Sequence, residues 1–590
     1  MGIGLWVLDF GLNSNGLAPD AALVNLSSMS ASANRLLCFG HKRHCNAAGH
    51  IHLLLVFGAL GVALFGAETP AAEIDPNARE LGIVSPDLAP DLAQVGAKLL
   101  VVGRPAWPKP LATSTEVTLV PQTEAAGTCV VSFGLPFPPD TLKDDKQIRV
   151  LSDGTELAAF TQPLVHWWLD RKQGALRSVL VQFEMASQDR SPRKITVAWD
   201  KPRARSRPAL TPISQTQDTV HFTPEPKDAK VALAFDYLRP KVLALLPAPW
   251  LCDSLVAWQQ VPAEQNQAAP WFDKHLAEQF DGSLRYISAS KEAFEAHLFD
   301  RPATYAKVYV RSGQAKHLLA ALQANEFYIQ HLTANGVFDL KPGNDLKYVY
   351  SEGSALMFML TGDERYRQAV ERAAKSWEGH AAIEYKGRGF WTERHHGFGM
   401  LAAVHAYEIT GEPRYLDRAA RFFEAAYAMQ VKPVDGKPPD GAWVHSGDSH
   451  GDGNGWTTSP WMSCFLTDAI WKYWMLSGEP RCPASLALYA KFAQLHAVTP
   501  NGRGMWYMAN SPGRGKSEDG EDGPHNMEGL YLMALGRYLS KATDGEFMKK
   551  FQSLQPAVVE DPANRPGRKF NWRFRETSML VWFLSETERH

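Results

Sequence analysis

The spacing of apolar positions changes once along this chain. From about residue 74 to 215 they come in short runs: TCVVSFGLPF (128–137), KQIRVLSDGTEL (146–157), GALRSVLVQFEMA (174–186) and RKITVAW (193–199). Gly, Asp and Pro punctuate the gaps, which predicts the strands of a sandwich or barrel, with SDG at 152–154 as a hairpin turn. DKPRARSRPALTP (200–212) reads as a boundary, and 216–270 as a smaller central β element carrying KVALAFDYL and PKVLALLPAPWL.

From 271 to 590 the period becomes helical and a short tag recurs: VRSGQAK (310–316), LTGDERY (360–366), ITGEPRY (409–415), LSGEPRC (476–482) and a degenerate KATDGEF (541–547). The tag glycines are 313, 362, 411, 478 and 545, at intervals of 49, 49, 67 and 67 residues. Glycine closing one helix before an acidic or Pro-containing turn that opens the next is what an αα-hairpin requires. Regular recurrence marks a repeat architecture. The helix before each tag is apolar nearly all round, and the one after it is amphipathic, as in RYRQAVERAAKSWEGH (365–380) and RYLDRAARFFEAAYAM (414–429). Buried helices inside amphipathic ones predict an (α/α)6-type toroid of about six hairpins, with NWRFRETSMLVWFLSE (571–586) as the last inner helix; an open solenoid is the alternative. The fold class is therefore multidomain β plus α, with the toroid C-terminal.

The first 72 residues read as a leader. A basic stretch, GHKRHCNAAGH (40–50), precedes about fifteen apolar positions and then small residues, which suits a signal peptide with its apolar region at about 51–66 and cleavage within 66–72. A membrane span needs roughly 20 apolar residues, so none is expected after cleavage. A secreted or periplasmic protein follows. Residues 1–30 resemble neither signal nor domain and fit a start codon assigned too far upstream. Cleavage removes Cys38 and Cys45; Cys129, Cys252, Cys464 and Cys482 show no zinc spacing, although one bridge is compatible with an oxidising compartment. A net charge of −2 excludes a basic nucleic-acid-binding surface. The 18 Trp, 17 Tyr and 28 Phe residues stand out; much of this is core, but exposed rings also stack on flat ligand faces, sugars among them.

In a toroid the inner helices are parallel, so their N-terminal ends crowd around one mouth. Those ends read NDLKYVYSEG (344–353), GFWTERHHGFG (389–399), GDGNGWTTSPWMS (451–463), GPHNMEG (523–529) and RKFNWRFRE (568–576). They bring Tyr348, Tyr350, Glu352, Trp391, Glu393, Arg394, His395, His396, Trp456, Trp461, His525, Asn526, Glu528, Trp572 and Arg573 to one structural level. Any one of them can be a cap or a packing residue; the convergence is the functional signal. Adjacent His395 and His396 diverge by about 100° on a helix, so they cannot share a metal, and one is expected to face the mouth. A neighbouring Arg394 disfavours a protonated imidazole and suits a neutral base. The loop GAWVHSGDSHGDGNGW (441–456) offers His445, Asp448, His450 and Asp452 as weak candidates for a divalent cation such as calcium. No phosphate loop, dinucleotide fingerprint, G-x-S-x-G elbow or zinc-protease helix is present.

Across roughly 110–586 the tags, FDRPATYAKVYVRSG (299–313), VVSFGLPFP and HWWLDRKQGALRSVLVQFEM together resemble the exo-rhamnogalacturonan lyase-like family. Where that family has a Trp-(Pro/Asp)-Asp-Gly-Ser signature, this chain has Trp168, Asp170 and Gly174 with an insertion. The resemblance implies an N-terminal RIFT-type barrel, a central β-sandwich, an α/α toroid and β-elimination on an acidic, pectin-like polysaccharide. Elimination needs a cation on the uronate (Arg394 or Arg573, with Asn526), a base for the C5 proton (His395, His396 or His525) and an acid for the leaving oxygen (Tyr348 or Tyr350). A glycoside hydrolase is the rival, drawing paired carboxylates from Glu352, Glu393, Glu528 and Glu576. A non-catalytic glycan binder would use Trp456, Trp461 and Trp572 as platforms.

Overall fold

The computed structural model describes residues 103–109, 112–122, 127–187, 190–208, 216–223, 234–284, 297–341, 343, 345–378, 392–433, 435–446, 455–518, 525–560 and 568–589. The leader lies outside them. Among the described residues no helix is long and apolar enough to cross a membrane.

The N-terminal strands are β1 (Ser114–Pro121), β2 (Gly127–Pro136), β3 (Arg149–Ser152), β4 (Thr155–Leu157), β5 (Ala159–Leu169), β6 (Lys172–Ser187) and β7 (Arg193–Ala198). Three more follow: β8 (Gln217–Phe222), β9 (Phe235–Pro240) and β10 (Val242–Leu245). They form a five-stranded sheet ordered β10-β1-β7-β3-β4, a three-stranded sheet β2-β6-β5 and a β8–β9 hairpin, all antiparallel. The turn between β3 and β4 is the expected one: Ser152 pairs with Thr155, and Asp153 and Gly154 take φ of 48° and 77°, as a two-residue I′ turn demands. Among the described residues no ladder closes these strands into a barrel. The boundary expected near 215 does not separate the sheets, because β10 pairs with β1. The segment after β10, expected as strand, becomes helix α1 (Ala248–Asp253), with Pro247 as its N-cap residue.

The helical region alternates outer and inner helices. The outer ones are α2 (Pro270–Leu284), α4 (Ala315–Gln330), α6 (Glu364–Glu378), α8 (Pro413–Val431), α10 (Cys482–Phe492) and α12 (Gly545–Val559). The inner ones are α3 (Arg301–Ser312), α5 (Glu352–Thr361), α7 (Glu393–Thr410), α9 (Pro460–Ser477), α11 (Asn526–Leu539) and the broken pair α13 (Arg568–Phe574) and α14 (Leu580–Arg589). Each inner helix packs on the next, and α13 returns to α3, so the ring is closed rather than a solenoid. The closing contacts are specific: Lys307 Nζ donates to the Arg575 carbonyl (3.0 Å) and Asn571 Nδ2 to the Leu298 carbonyl (2.9 Å).

Four tag glycines behave as expected. Gly313, Gly362, Gly411 and Gly478 take φ of 64–72°, and each N–H donates to the carbonyl four residues back, at 2.7–2.9 Å. The fifth does not. Gly545 opens α12, with Asp544 as its cap, and Lys541 and Ala542 take the left-handed conformations instead. Cys129, Cys252, Cys464 and Cys482 are unpaired.

The sheets pack on the C-terminal ends of the inner helices. Asp170 N donates to the Leu476 carbonyl (2.8 Å), Ser178 Oγ to the Met359 carbonyl (2.6 Å), and Gly411 lies against the Trp168 ring. Gly134 on β2 approaches so closely that a Cβ there would stand 2.1 Å from the Met359 carbonyl oxygen. Gly134→Ala must therefore displace backbone, and it should lower unfolding free energy by about 1–3 kcal/mol in a urea titration. One end of the ring is occupied by β structure. The N-terminal ends of the inner helices gather at the other.

Candidate functional site

The N-terminal ends fall at the expected positions, but not all at one depth. Helix α5 has 10 residues where α7 and α9 have 18, and all three end on a tag glycine at the sheet. Glu352, the first residue of α5, therefore sits roughly 12 Å below Glu393 and Pro460, at 1.5 Å of rise per residue. It belongs to the bore rather than the rim. There its Oε1 meets Lys307 Nζ (3.0 Å) and Lys472 Nζ (2.5 Å), and its Oε2 meets an Arg575 guanidinium nitrogen (2.7 Å). Asp468 accepts from Lys472 (2.9 Å) and Arg575 (3.3 Å), and Glu576 accepts from Arg575 (2.7 Å). Every side chain here is at most 3% exposed, so the network crosses the ring on the axis side of otherwise apolar helices.

Its carboxyls respond differently. The surrounding cations hold Glu352 well below the usual carboxylate range against the desolvation that opposes them. Burial pushes Glu576 up to about 8 and Asp300 up to about 6, both against the pull of Arg575. A carboxyl whose folded pKa is raised binds more protons folded than unfolded between the two values. Its contribution is complete below the unfolded value and is lost as pH rises through the folded one. The urea midpoint should thus fall between pH 5 and 9, and Glu576→Gln should flatten that fall above pH 7.

At the rim, Thr392 caps α7, and its Oγ1 lies 2.6 Å from His395 Nδ1. His396 Nε2 donates to the Phe422 carbonyl on outer helix α8 (2.6 Å). His395 shares its helical row with Gly399, which packs on Phe422 and Trp377 of the outer helices. Neither histidine is turned to the axis as expected. Arg394 is: it shares a row with Phe398, which packs on inner-ring Phe465 and on Tyr350. Glu393 is wholly buried and accepts from Thr458 Oγ1 (2.8 Å) and Ser459 N (3.2 Å), with His445 Nδ1 2.8 Å from its other carboxylate oxygen.

The axis-facing cluster is built from four inner helices. Half-buried Arg394 lies 5.5 Å from the Trp461 ring and 5.9 Å from Phe299, and desolvation weakens its hold on its proton. On the Trp461 ring stacks His525, centroids 4.6 Å apart and planes 6° apart; Trp572 meets His525 edge-on at 4.9 Å. His525 Nδ1 faces Glu528 Oε1 at 3.0 Å. The carboxylate fixes the proton on Nδ1, so the lone pair is on Nε2. His525 Nε2, Trp461 Nε1 and Arg394 Nε are buried and have no partner among the described residues.

The remaining candidates brace rather than line. Tyr350 Oη donates to the Lys347 carbonyl (2.5 Å) and accepts from Phe299 N (2.9 Å). Tyr348 stacks on Phe338 at 6.4 Å. Asn526 holds the 503–505 backbone through Met505 N (3.0 Å) and the Arg503 carbonyl (3.2 Å). Arg573 reaches Gln279 on outer helix α2 (3.2 Å), away from the mouth. Trp456 is half-buried on a short ribbon, β11 (His445–Ser446) with β12 (Trp456–Thr457). Trp391, Asp448, His450 and Asp452 lie outside the described residues, as does any calcium site they would form. Among the described residues no group of three or more His, Cys, Asp or Glu is arranged for a metal. A separate groove of about 850 Å³ between α4, α6 and α8 is lined by Arg365, Arg372 and Arg414, whose guanidinium groups are engaged by Glu326 and Asp363, the Leu332 carbonyl and Glu412.

Two parts of this arrangement were not anticipated. The bore residues Lys307, Asp468 and Lys472 had a signal, a charged pair four apart inside the apolar run of α9. Tyr507, whose ring lies 5.7 Å from Trp461 and 5.8 Å from His525, had none, because it stands on a loop without period.

No protein-family model matches this chain, and no curated protein matches it. Solved structures do. An unsaturated glucuronyl hydrolase specific for heparin is similar at a TM-score of 0.38 and 10% identity, over 55% of this chain and 99% of that one. The cellobiose 2-epimerase of Spirochaeta thermophila gives 0.37 and 12% over 55% and 98%, and a glycosyl hydrolase family 88 protein from Bacteroides vulgatus 0.35 and 12% over 55% and 99%. At such scores the activity has to be argued from the site itself.

Proposed function

We propose that this chain is a secreted or periplasmic carbohydrate-active enzyme that cleaves a uronic-acid-containing polysaccharide by β-elimination at the toroid mouth. The observation that carries this reading is the trio Arg394, Trp461 and His525. A cation, a buried indole and a carboxylate-oriented imidazole converge there, with the imidazole's basic nitrogen unpartnered among the described residues. In this reading Arg394 binds the uronate carboxylate and so stabilises the carbanionic charge that develops when C5 loses its proton. His525 Nε2 takes that proton, and Glu528 steadies the imidazolium it becomes.

Paired-carboxylate hydrolysis fits the same residues less well. Glu352 is locked among three cations, Glu393 accepts from two donors beside His445, Glu528 is bound to His525, and Glu576 lies beneath Arg575. None of them stands free to attack an anomeric carbon or activate a water. The deciding experiment incubates the protein with a panel of uronic-acid and neutral glycans. Elimination creates a conjugated C4=C5 double bond, seen as rising absorbance in the ultraviolet together with new reducing ends. New reducing ends without that absorbance would make the enzyme a hydrolase, and saturable binding without either would make it a lectin-like protein.

A further inference from the structure

An elimination also needs a proton for the departing oxygen; of the tyrosines expected to give it, Tyr350 has its hydroxyl committed on both sides, and Tyr348 packs its ring on Phe338. We propose that Tyr507 is the acid, and that Glu393, beneath it, is its positioning residue. The assignment rests on the elimination reading above.

The ring of Tyr507 closes the same aromatic box as the base, at 5.8 Å from His525 and 5.7 Å from Trp461, and it is close enough to Arg394 to act on that guanidinium. Its backbone is pinned from two sides. Tyr507 N donates to the Glu518 carbonyl (3.0 Å), and the Tyr507 carbonyl accepts from Ser459 Oγ (3.0 Å). The N–H of that same Ser459 is held by Glu393, which also takes Thr458 Oγ1, and Thr458 and Ala509 form an isolated bridge. A fully buried carboxylate at the start of α7 thus fixes the strap that carries a half-buried phenol over the platform. Without some such role, burying Glu393 against Thr458, Ser459 and His445 is a costly way to open a helix.

The balance is complete without a co-reactant. His525 Nε2 removes the C5 proton, the C5–H electron pair forms the C4=C5 bond, and the C4–O bond breaks with its pair going to oxygen. The Tyr507 hydroxyl protonates that oxygen. The imidazolium then returns its proton to the phenolate through solvent, which restores both groups. The phenol must be neutral at the start and the imidazole unprotonated, so the two act in one protonation state of the site.

The test compares two leaving groups. One substrate is the uronate polymer that the wild type degrades, pectate being the first to try. The other is a galacturonate carrying 4-nitrophenolate at C4, whose departure needs no protonation. Tyr507→Phe is expected to lower kcat on the polymer by about 10²–10⁴-fold, to change kcat on the nitrophenyl substrate by less than about threefold, and to remove the alkaline limb of the pH profile. His525→Ala should impair both substrates. Glu393→Gln should lower kcat on the polymer with little change in KM and be largely rescued on the nitrophenyl substrate. Tyr507→Phe that leaves the polymer rate intact, or that harms both substrates equally, overturns the assignment while the elimination reading stands. If the wild type forms no unsaturated product from either substrate, both fall together.

Discussion

His525→Ala should nearly eliminate turnover while leaving the far-ultraviolet circular dichroism unchanged. The expected loss is about 10²–10⁴-fold in kcat, the range a positioned general base contributes. A structural role would predict otherwise. His525 stacks on Trp461 and meets Trp572 edge-on, so a purely packing residue would cost stability when truncated and leave any surviving activity intact. The distinguishing companion is Glu528→Gln. It keeps the volume and a hydrogen bond to Nδ1 but removes the negative charge that steadies the imidazolium. Its kcat should fall less than that of His525→Ala, with KM little changed. Retained activity in His525→Ala on a substrate that the wild type demonstrably cleaves would move the base elsewhere.

The second large effect is on stability. Arg575→Met removes the cation that meets Glu352, Asp468 and Glu576 at 2.7–3.3 Å inside the bore. Breaking a buried pair leaves an uncompensated charge in a medium that cannot solvate it, which costs about 3–5 kcal/mol. Glu352→Gln should cost a similar amount, because Lys307 and Lys472 lose the anion they share. These residues form one network, so the double variant should cost clearly less than the two single losses together. Chemical denaturation of the three variants measures this, and strict additivity would mean that the charges act independently.

How much of this was legible along the chain depends on how local each cause is. The hairpin tags could be read because a left-handed glycine closing a helix is a property of four or five residues, as Gly313, Gly362, Gly411 and Gly478 demonstrate. Gly545 shows the limit of the same local signal: a glycine in a tag-like string reads as the cap, but Lys541 and Ala542 make the turn and Asp544 caps the next helix. Closure of the ring was not legible, since it hangs on contacts such as Lys307 to Arg575, 268 residues apart. Nor was the choice among three histidines. Which row of α7 faces the axis is set by Phe422 and Trp377 packing on Gly399, and that placed Arg394 inward and His396 on an outer-helix carbonyl. The common level assigned to the helix ends failed at Glu352 because helix length varies around the ring.

The seating of β2, β5 and β6 on the carbonyl ends of the inner helices has one more consequence. Those carbonyls are orphans in an isolated helix, and here Asp170 and Ser178 supply donors to two of them. Neither part of the molecule is then autonomous: the sheets lose their floor, and the ring loses its terminal hydrogen bonds, if they are pulled apart. Melting becomes a concerted event, and excising the helical half at the boundary that the chain's own composition suggests would yield an aggregation-prone fragment rather than a minimal enzyme.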